Sequence, residues 1–432
     1  MTTTLIQKAR RVAGKWKRRL LQYPGTRRLA PFLDPANQRE VLARALAKWE
    51  GIRRQETIHV VFQVYHIGMW KNDSLMRLML QHPRFKPVIW IVSHYDSWPT
   101  EENMQNVREH CRTMGFPYVE YPDLATLRRR QPVDLFFFQE PYNFNLTRKR
   151  DRGMTDLVLC YAPYCFRNQV QEKIFNTPLQ NMAAFNFFEN ECVERAARNI
   201  TNNRGERNFV VGQPMVDAFL DSSLSTAMPS PWKDCGREMK KVIWAPHWTF
   251  YKAPGFLCTS TFMLVHEIMV ELAEKYADRI QFAFKPHPSL RHNLMGKDVW
   301  GRERTEAYYR KWEEMPNTQY ENGDYVALFR HSDAMIHDCG SFMLEYLLVD
   351  KPCMYLQEGE GFPLFNEMSK DALTAYYKGV TRAEIERFLL NCVLGTEDAY
   401  AAERRTVREK YLLPPNNRSA AENIVSTLLG EG

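Results

Sequence analysis

The sequence predicts two consecutive α/β domains, each a doubly wound, mostly parallel sheet, facing each other across a cleft. Three observations predict it. Short apolar runs alternate with amphipathic stretches along most of the chain. The alternation breaks once, at the Ser- and Pro-rich DSSLSTAMPSPWKDCG (221–236), and then restarts. In the second half, small polar or histidine-bearing elbows directly follow apolar runs, where such sheets hold their ligands.

A helical pattern near Gln38–Trp49 precedes the first run, TIHVVFQVY (57–65), which reads as a buried strand. SLMRLMLQH (74–82) is helical, KPVIWIVS (86–93) a strand and TEENMQNVREHCRTMG (100–115) a helix. PVDLFFFQE (132–140) and DLVLCYA (156–162) are further strands, too apolar on both sides for a half-exposed sheet. After the break come strand KKVIWAP (240–246), helix TFMLVHEIMVELAEKYAD (261–278) and strand IQFAFKP (280–286). The stretch 331–356 adds a strand, a helix over 341–349 and another strand, and helices follow at 381–393 and 401–413. The expected layout is a basic helical arm (1–55), an N-terminal domain (56–220), a linker (221–237), a C-terminal domain (238–395) and C-terminal helices (396–432).

At 44% apolar and 25% charged, the chain has the composition of an ordinary globular protein. It shows neither a membrane span nor a secretory signal, which leads us to expect a cytoplasmic protein. The nine cysteines are odd in number and scattered, without the spacing of a zinc site; small buried hydrophobes in a reduced compartment are expected, with no structural metal. The net charge of +7 is concentrated at the start. From Met1 to Leu33 there is no acidic residue, yet Lys8, Arg10, Arg11, Lys15, Lys17, Arg18, Arg19, Arg27 and Arg28 lie there. Ala9, Val12, Ala13, Trp16 and Leu20 share one helical face. Such an arm, residues 8–28, suits the anionic inner face of a membrane; a merely solvated helix is the plainer alternative, and no nucleic-acid signature accompanies it.

Three elbows carry the chemistry. WAPHWTFYK (244–252) ends a strand at Pro246 and presents His247. FKPHPSLR (284–291) interleaves Lys285 and His287 with prolines that continue neither strand nor helix. HDCGS (337–341) sets Asp338, Cys339, Gly340 and Ser341 before a helix. A Gly-bearing turn opening a helix offers backbone N–H groups and the positive dipole end to phosphate, Lys285 and His287 supply an opposing wall, and Glu345 lies one turn on, toward a ribose hydroxyl. Taken singly, each has a plainer reading: Asp338 or Ser341 as a helix cap, KPHP as a rigid turn, His247 as a loop histidine. Together they predict a phosphate-bearing ligand. Neither a P-loop nor a dinucleotide fingerprint is present.

The ordered set IWAPHWTF, FAFKPHPSL and SDAMIHDCGSFMLEYLLVDKPCMYL resembles the CDP-glycerol glycerophosphotransferase family, the wall teichoic acid polymerases and their capsule-polysaccharide relatives, over roughly residues 57–393. The resemblance implies a GT-B fold and transfer of an alditol phosphate from a CDP-activated donor to a hydroxyl of a growing polymer or lipid-linked glycan, with CMP released. It implies that His287 is the catalytic, phosphate-contacting histidine. Asp338, Gly340, Ser341 and Glu345 match the family's cradle for the donor's diphosphate, and Lys285 and Cys339 join them from the reading of the elbows themselves. FQVYHIGMWKNDSLM (62–76) looks like the family's first-strand loop, which places Asn72 and Asp73, with Tyr161 and Tyr164, on the acceptor side. The family's Trp-His-Gly, whose histidine is the proposed base, is replaced here by CYAPYCF (160–166), so His66 or His247 must take that role. No cofactor is implied beyond a loosely held Mg²⁺ assisted by Asp338. A sugar transferase using a UDP- or CMP-sugar is the alternative, and an inactive nucleotide-binding scaffold a second.

Overall fold

The computed structural model describes residues 34–92, 100–141, 144, 151, 153–221, 228–250, 260–323, 325–357, 365–395 and 397–431. The basic arm at 8–28 lies outside them. The chain forms two compact units: Met1–Tyr164 with Gln171–Val211 and Ala420–Gly432, and Cys165–Val170 with Gly212–Ser419.

Among the described residues the first unit holds seven strands: β1 (Ile58–Val64), β2 (Phe85–Ile91), β3 (Tyr118–Val119), β4 (Leu135–Phe138), β5 (Val158–Tyr161), β6 (Phe185–Phe188) and β7 (Asn208–Val210). They pair in parallel in the order β3-β2-β1-β4-β5-β6-β7. Ile58, Val60, Phe62 and Val64 pack into one cluster and Val61 into the cluster on the other face, which is why this strand reads as a continuous apolar run.

Helix α1 (Pro35–Ile52) starts where Asp34 accepts the Ala36 N–H and Pro35 occupies the first helical position. Its buried face, Val41, Leu42, Ala45, Trp49 and Ile52, follows helical spacing, and Trp49 meets Phe185 edge-on at 5.3 Å. This helix, grouped in the sequence with the arm, is therefore part of the first unit's core. Helices α2 (Asp73–Gln81) and α3 (Thr100–Met114) follow β1 and β2.

The second unit holds β8 (Lys240–Ala245), β9 (Ile280–Phe284), β10 (Thr318–Tyr320), β11 (Ala334–His337), β12 (Cys353–Leu356) and β13 (Tyr377–Gly379), all parallel in the order β10-β9-β8-β11-β12-β13. Both sheets have the doubly wound order, with switch points between β1 and β4 and between β8 and β11. Trp244 anchors the second core, with Phe284 at 4.9 Å and Trp312 at 5.2 Å. Around this sheet lie α4 (Phe262–Lys275), α5 (Pro288–Leu294), α6 (Gly301–Glu314), the short α7 (Phe342–Glu345) and α8 (Glu367–Ala372).

The C-terminal helices divide. Ala401–Val407 belongs to the second unit, whereas α9 (Ala420–Leu429) returns to the first. There it buries Ile424 and Leu428, and Asn423 donates to the Val211 carbonyl. A six-residue strap, 165–170, makes the reverse excursion into the second unit. Among the described residues no helix is long and apolar enough to cross a membrane.

Candidate functional site

Strand register brings the three elbows of the second unit to one edge. His337 pairs with Ala245, and Trp244 with Phe284, so β8, β9 and β11 end level. Pro246–His247, Lys285–His287 and Asp338 therefore leave the sheet side by side, at its switch point. The His287 N–H donates to the Pro246 carbonyl at 3.0 Å, and the His247 and His287 rings lie 4.9 Å apart.

Asp338 joins the elbows. Its side chain has no exposed surface and accepts from the His247 N–H, the Thr261 N–H and the Thr261 hydroxyl. It thus fastens both ends of the β8–α4 connection, capping α4 from another strand rather than capping its own helix. Burial pushes its pKa up to about 6, against the lowering effect of those donors. Its lone pairs are spent on the protein, so it is not presented to a Mg²⁺ as the sequence suggested. The partnership with Thr261 carries no local signal; only the fold reveals it.

The turn at 338–341 differs from expectation in its helix. Only α7, four residues, is α-helical, and Tyr346–Val349 continue as a 3₁₀ segment. A dipole sums aligned peptides, so so short a turn supplies little of one. What remains is individual donors: the Met343, Leu344 and Glu345 N–H groups bond within the turn, to Cys339 and Ser341 carbonyls. Among the described residues, no acceptor faces the Gly340 or Ser341 N–H.

Cys339 is buried with its sulfur 3.3 Å from the Ser341 hydroxyl, and burial raises its thiol pKa to about 11, so it contributes backbone and packing only. Glu345 is also buried, 2% exposed, and is not displayed toward a ribose as expected. Lys285 is likewise buried and donates to the Gly323 carbonyl at 2.7 Å.

The histidines are held in different states. His287 precedes α5, and its Nδ1 accepts the Ser289 N–H at 3.1 Å. A neutral ring so held carries its proton on Nε2 and offers a donor. His247 Nδ1 lies 2.8 Å from the Thr249 hydroxyl, and burial pulls its pKa down to about 4, well below the value that made it attractive as a base near neutrality. In the first unit, His66 Nδ1 accepts the Gly68 N–H at 2.9 Å, which leaves its neutral ring a donor rather than a base.

The acceptor-side residues are largely structural. Trp70 packs on Phe62 and its Nε1–H meets the Asp73 carboxylate, which His110 Nε2 also reaches at 2.8 Å. Burial opposes ionisation of Asp73, but His110, Trp70 and Arg77 outweigh it and lower the pKa. Asn72 is 2% exposed at the start of α2. Tyr161, the last residue of β5, is buried in the core, and half-buried Tyr164 donates its N–H to the Gln139 carbonyl.

His337, below the turn, has its Nδ1 3.1 Å from the Cys339 carbonyl, and burial lowers its pKa to about 3. Folded, both His337 and His247 refuse protons that the unfolded chain accepts below about pH 6.5, so each makes stability fall as pH drops. Asp338 has the opposite sign, keeping below pH 6 a proton that the unfolded chain releases until about pH 4. Among these three groups, two histidines less one carboxyl leave the unfolded chain one proton ahead between about pH 6 and 4, so together they make stability fall as pH drops there. His337→Phe removes one histidine and should flatten urea midpoints over that range. An unchanged slope would refute the buried-neutral assignment.

No curated protein matches the sequence. The structure is similar to a variant of the wall teichoic acid polymerase TagF (12% identity, TM-score 0.58, 92% of this chain and 97% of that one). It is also similar to S. aureus MnaA with UDP (12%, 0.55, 87% and 96%). A third is the UDP-GlcNAc 2-epimerase from Neisseria meningitidis bound to UDP-GlcNAc (12%, 0.53, 87% and 100%). At such identities the likeness carries the fold, which is of the GT-B type. Residues 166–429, more than half of the chain, match the family described as CDP-Glycerol:Poly(glycerophosphate) glycerophosphotransferase, and the chain belongs to that family.

Proposed function

We propose that the protein transfers an alditol phosphate, glycerol phosphate or a close analogue, from a CDP-activated donor to a hydroxyl of a cell-surface polymer or lipid-linked glycan. The observation that carries this reading is the pair of amides at Gly340 and Ser341 that meet no acceptor among the described residues, tied through Asp338 and His247 to an imidazole whose Nδ1 accepts an N–H, in a member of this family. The amides and His287 would neutralise charge on the donor's phosphates, with buried Lys285 adding positive potential from below.

The acceptor oxygen attacks the β-phosphorus, which bears the alditol. The bond from that phosphorus to the bridging oxygen breaks, and CMP leaves with the bridging oxygen. The hydroxyl proton passes to a base. His247 lies beside His287 and is unprotonated at neutral pH, and it would take the proton at Nδ1 by giving up the Thr249 N–H that this nitrogen accepts at 3.4 Å. A weak base suffices, because a loose phosphoryl transition state makes the hydroxyl acidic only late. The β8–β9–β11 edge requires no metal ligand from Asp338, and any Mg²⁺ would be held mainly by the donor's own phosphates.

A UDP-sugar donor is the second reading, favoured by the UDP and UDP-GlcNAc held by two similar structures. The two separate cleanly. With CDP-glycerol and a polyol-phosphate or lipid-linked acceptor the expected result is CMP release; UDP release from UDP-sugars alone would replace this reading with the other. Binding of CDP-glycerol without turnover on any acceptor would instead indicate an inactive scaffold. The basic arm, 8–28, would bring the enzyme to the cytoplasmic face of an anionic membrane. Removing residues 1–30 should abolish binding to phosphatidylglycerol vesicles while sparing CMP release on a soluble acceptor, and undiminished vesicle binding would remove the arm from the reading.

A further inference from the structure

The strap 165–170 begins at the last two residues of CYAPYCF (160–166) and runs beyond it, and its construction is specific. The Asn168 carbonyl accepts from the Asn366 N–H and the Ser369 hydroxyl, each at 3.0 Å. The Arg167 carbonyl accepts from Asn366 Nδ2 at 2.6 Å, while Asn366 Oδ1 caps α8 through the Ser369 N–H at 2.9 Å. Gln169 bridges to Phe365. One asparagine thus caps a helix and fastens the strap.

The strap's main chain is fixed, yet the carboxamide it carries is not used to fix it. Among the described residues, the Asn168 side chain has no hydrogen-bond partner. It lies against Gly340: a Cβ added there would meet Asn168 Nδ2 at 2.5 Å. A side chain at 340 would have to displace that carboxamide, and the φ of Gly340 is not in the left-handed region. Among the described residues, three neighbouring donors, Gly340 N–H, Ser341 N–H and Asn168 Nδ2–H, therefore meet no acceptor, and the nearby carboxylates Asp338 and Glu345 are buried. Such a set suits an anionic oxygen.

We propose that Asn168 is a ligand-binding residue of this site, its carboxamide donating to a non-bridging oxygen of the bound nucleotide's diphosphate beside the Gly340 and Ser341 amides. This rests on the reading given under Proposed function. It makes the strap part of the donor site of the second unit.

The test is calorimetric titration of the full chain with CDP-glycerol and with CDP, for wild type, Asn168→Ala and Asn168→Asp, with melting curves of each unliganded protein. A hydrogen bond to a charged group predicts roughly 10-fold weaker binding for Asn168→Ala. Asn168→Asp, nearly isosteric but anionic, should bind more weakly still, with a gap that narrows in salt. A merely structural role would not make the carboxylate worse than alanine. Gly340→Ala, which displaces the carboxamide, should weaken binding in wild type but add little in the Asn168→Ala background. If Asn168→Asp melts early, Asn168→Ser carries the test, since the anchors are main-chain carbonyls. Equal affinities for wild type and folded variants would overturn this assignment while leaving the transferase reading intact. No binding by wild type to either nucleotide would overturn both.

Discussion

His287→Ala is expected to fold and to lose transfer by about 10²–10³-fold, the usual consequence of deleting one aimed donor at a developing charge. Its structural duty is small: Nδ1 accepts a single N–H at the start of α5, and losing such a cap costs about 1 kcal/mol. The catalytic duty proposed for it would fall to Nε2, which the cap fixes as the protonated nitrogen of the neutral ring. The two separate by substitution. His287→Asn restores a good capping side chain and an N–H donor, though not one at the same reach, so stability should return while only part of the rate does. CMP release under saturating CDP-glycerol, with melting curves on the same samples, checks both. A folded His287→Ala protein turning over within fivefold of wild type would remove this histidine from the chemistry.

Asp338→Ala should fail in the opposite way, through the fold. The change leaves the buried N–H groups of His247 and Thr261 without an acceptor, at about 1–3 kcal/mol each, and opens a small cavity. A loss of roughly 3–5 kcal/mol is a large share of the ~5–15 kcal/mol that holds a domain together. The urea midpoint of the second unit should fall steeply, and nucleotide binding should go with it, because the β8 elbow is no longer pinned to the β11 elbow. A loss below about 1 kcal/mol would show that the carboxylate is not the clamp. In this pair of variants, one silences a folded enzyme and the other unfolds the platform that carries the same site.

Much of the architecture is legible in local pattern. β1, β2, β4, β5, β8, β9, β11 and β12 coincide with apolar runs, because a strand covered on both faces must be apolar throughout. The interior β6, a four-residue FNFF interrupted by Asn186, is not read as a strand, and the edge strands escape notice too. β3, β7, β10 and β13 are two or three residues long and only partly buried at most positions, so they lack an apolar run of their own. The elbows were recognisable because prolines and a glycine interrupt the pattern where the chain must turn. Their internal division of labour was not. Asp338 looks equally like a phosphate ligand, a metal ligand or a cap until Thr261 and His247 are seen around it.

What the sequence determines by itself is the alternation of strand and helix, the break between two repeats of it, and the placement of His247, Lys285, His287 and Gly340 at strand ends. These follow from hydrophobic periodicity and backbone chemistry, which act over a few residues. Tertiary structure alone decides that α9 closes the first core, that the strap 165–170 joins the second unit, and that Asn168 lies against Gly340. Those facts depend on partners more than a hundred residues apart, whose meeting is fixed by which faces remain to be covered once the sheets have formed.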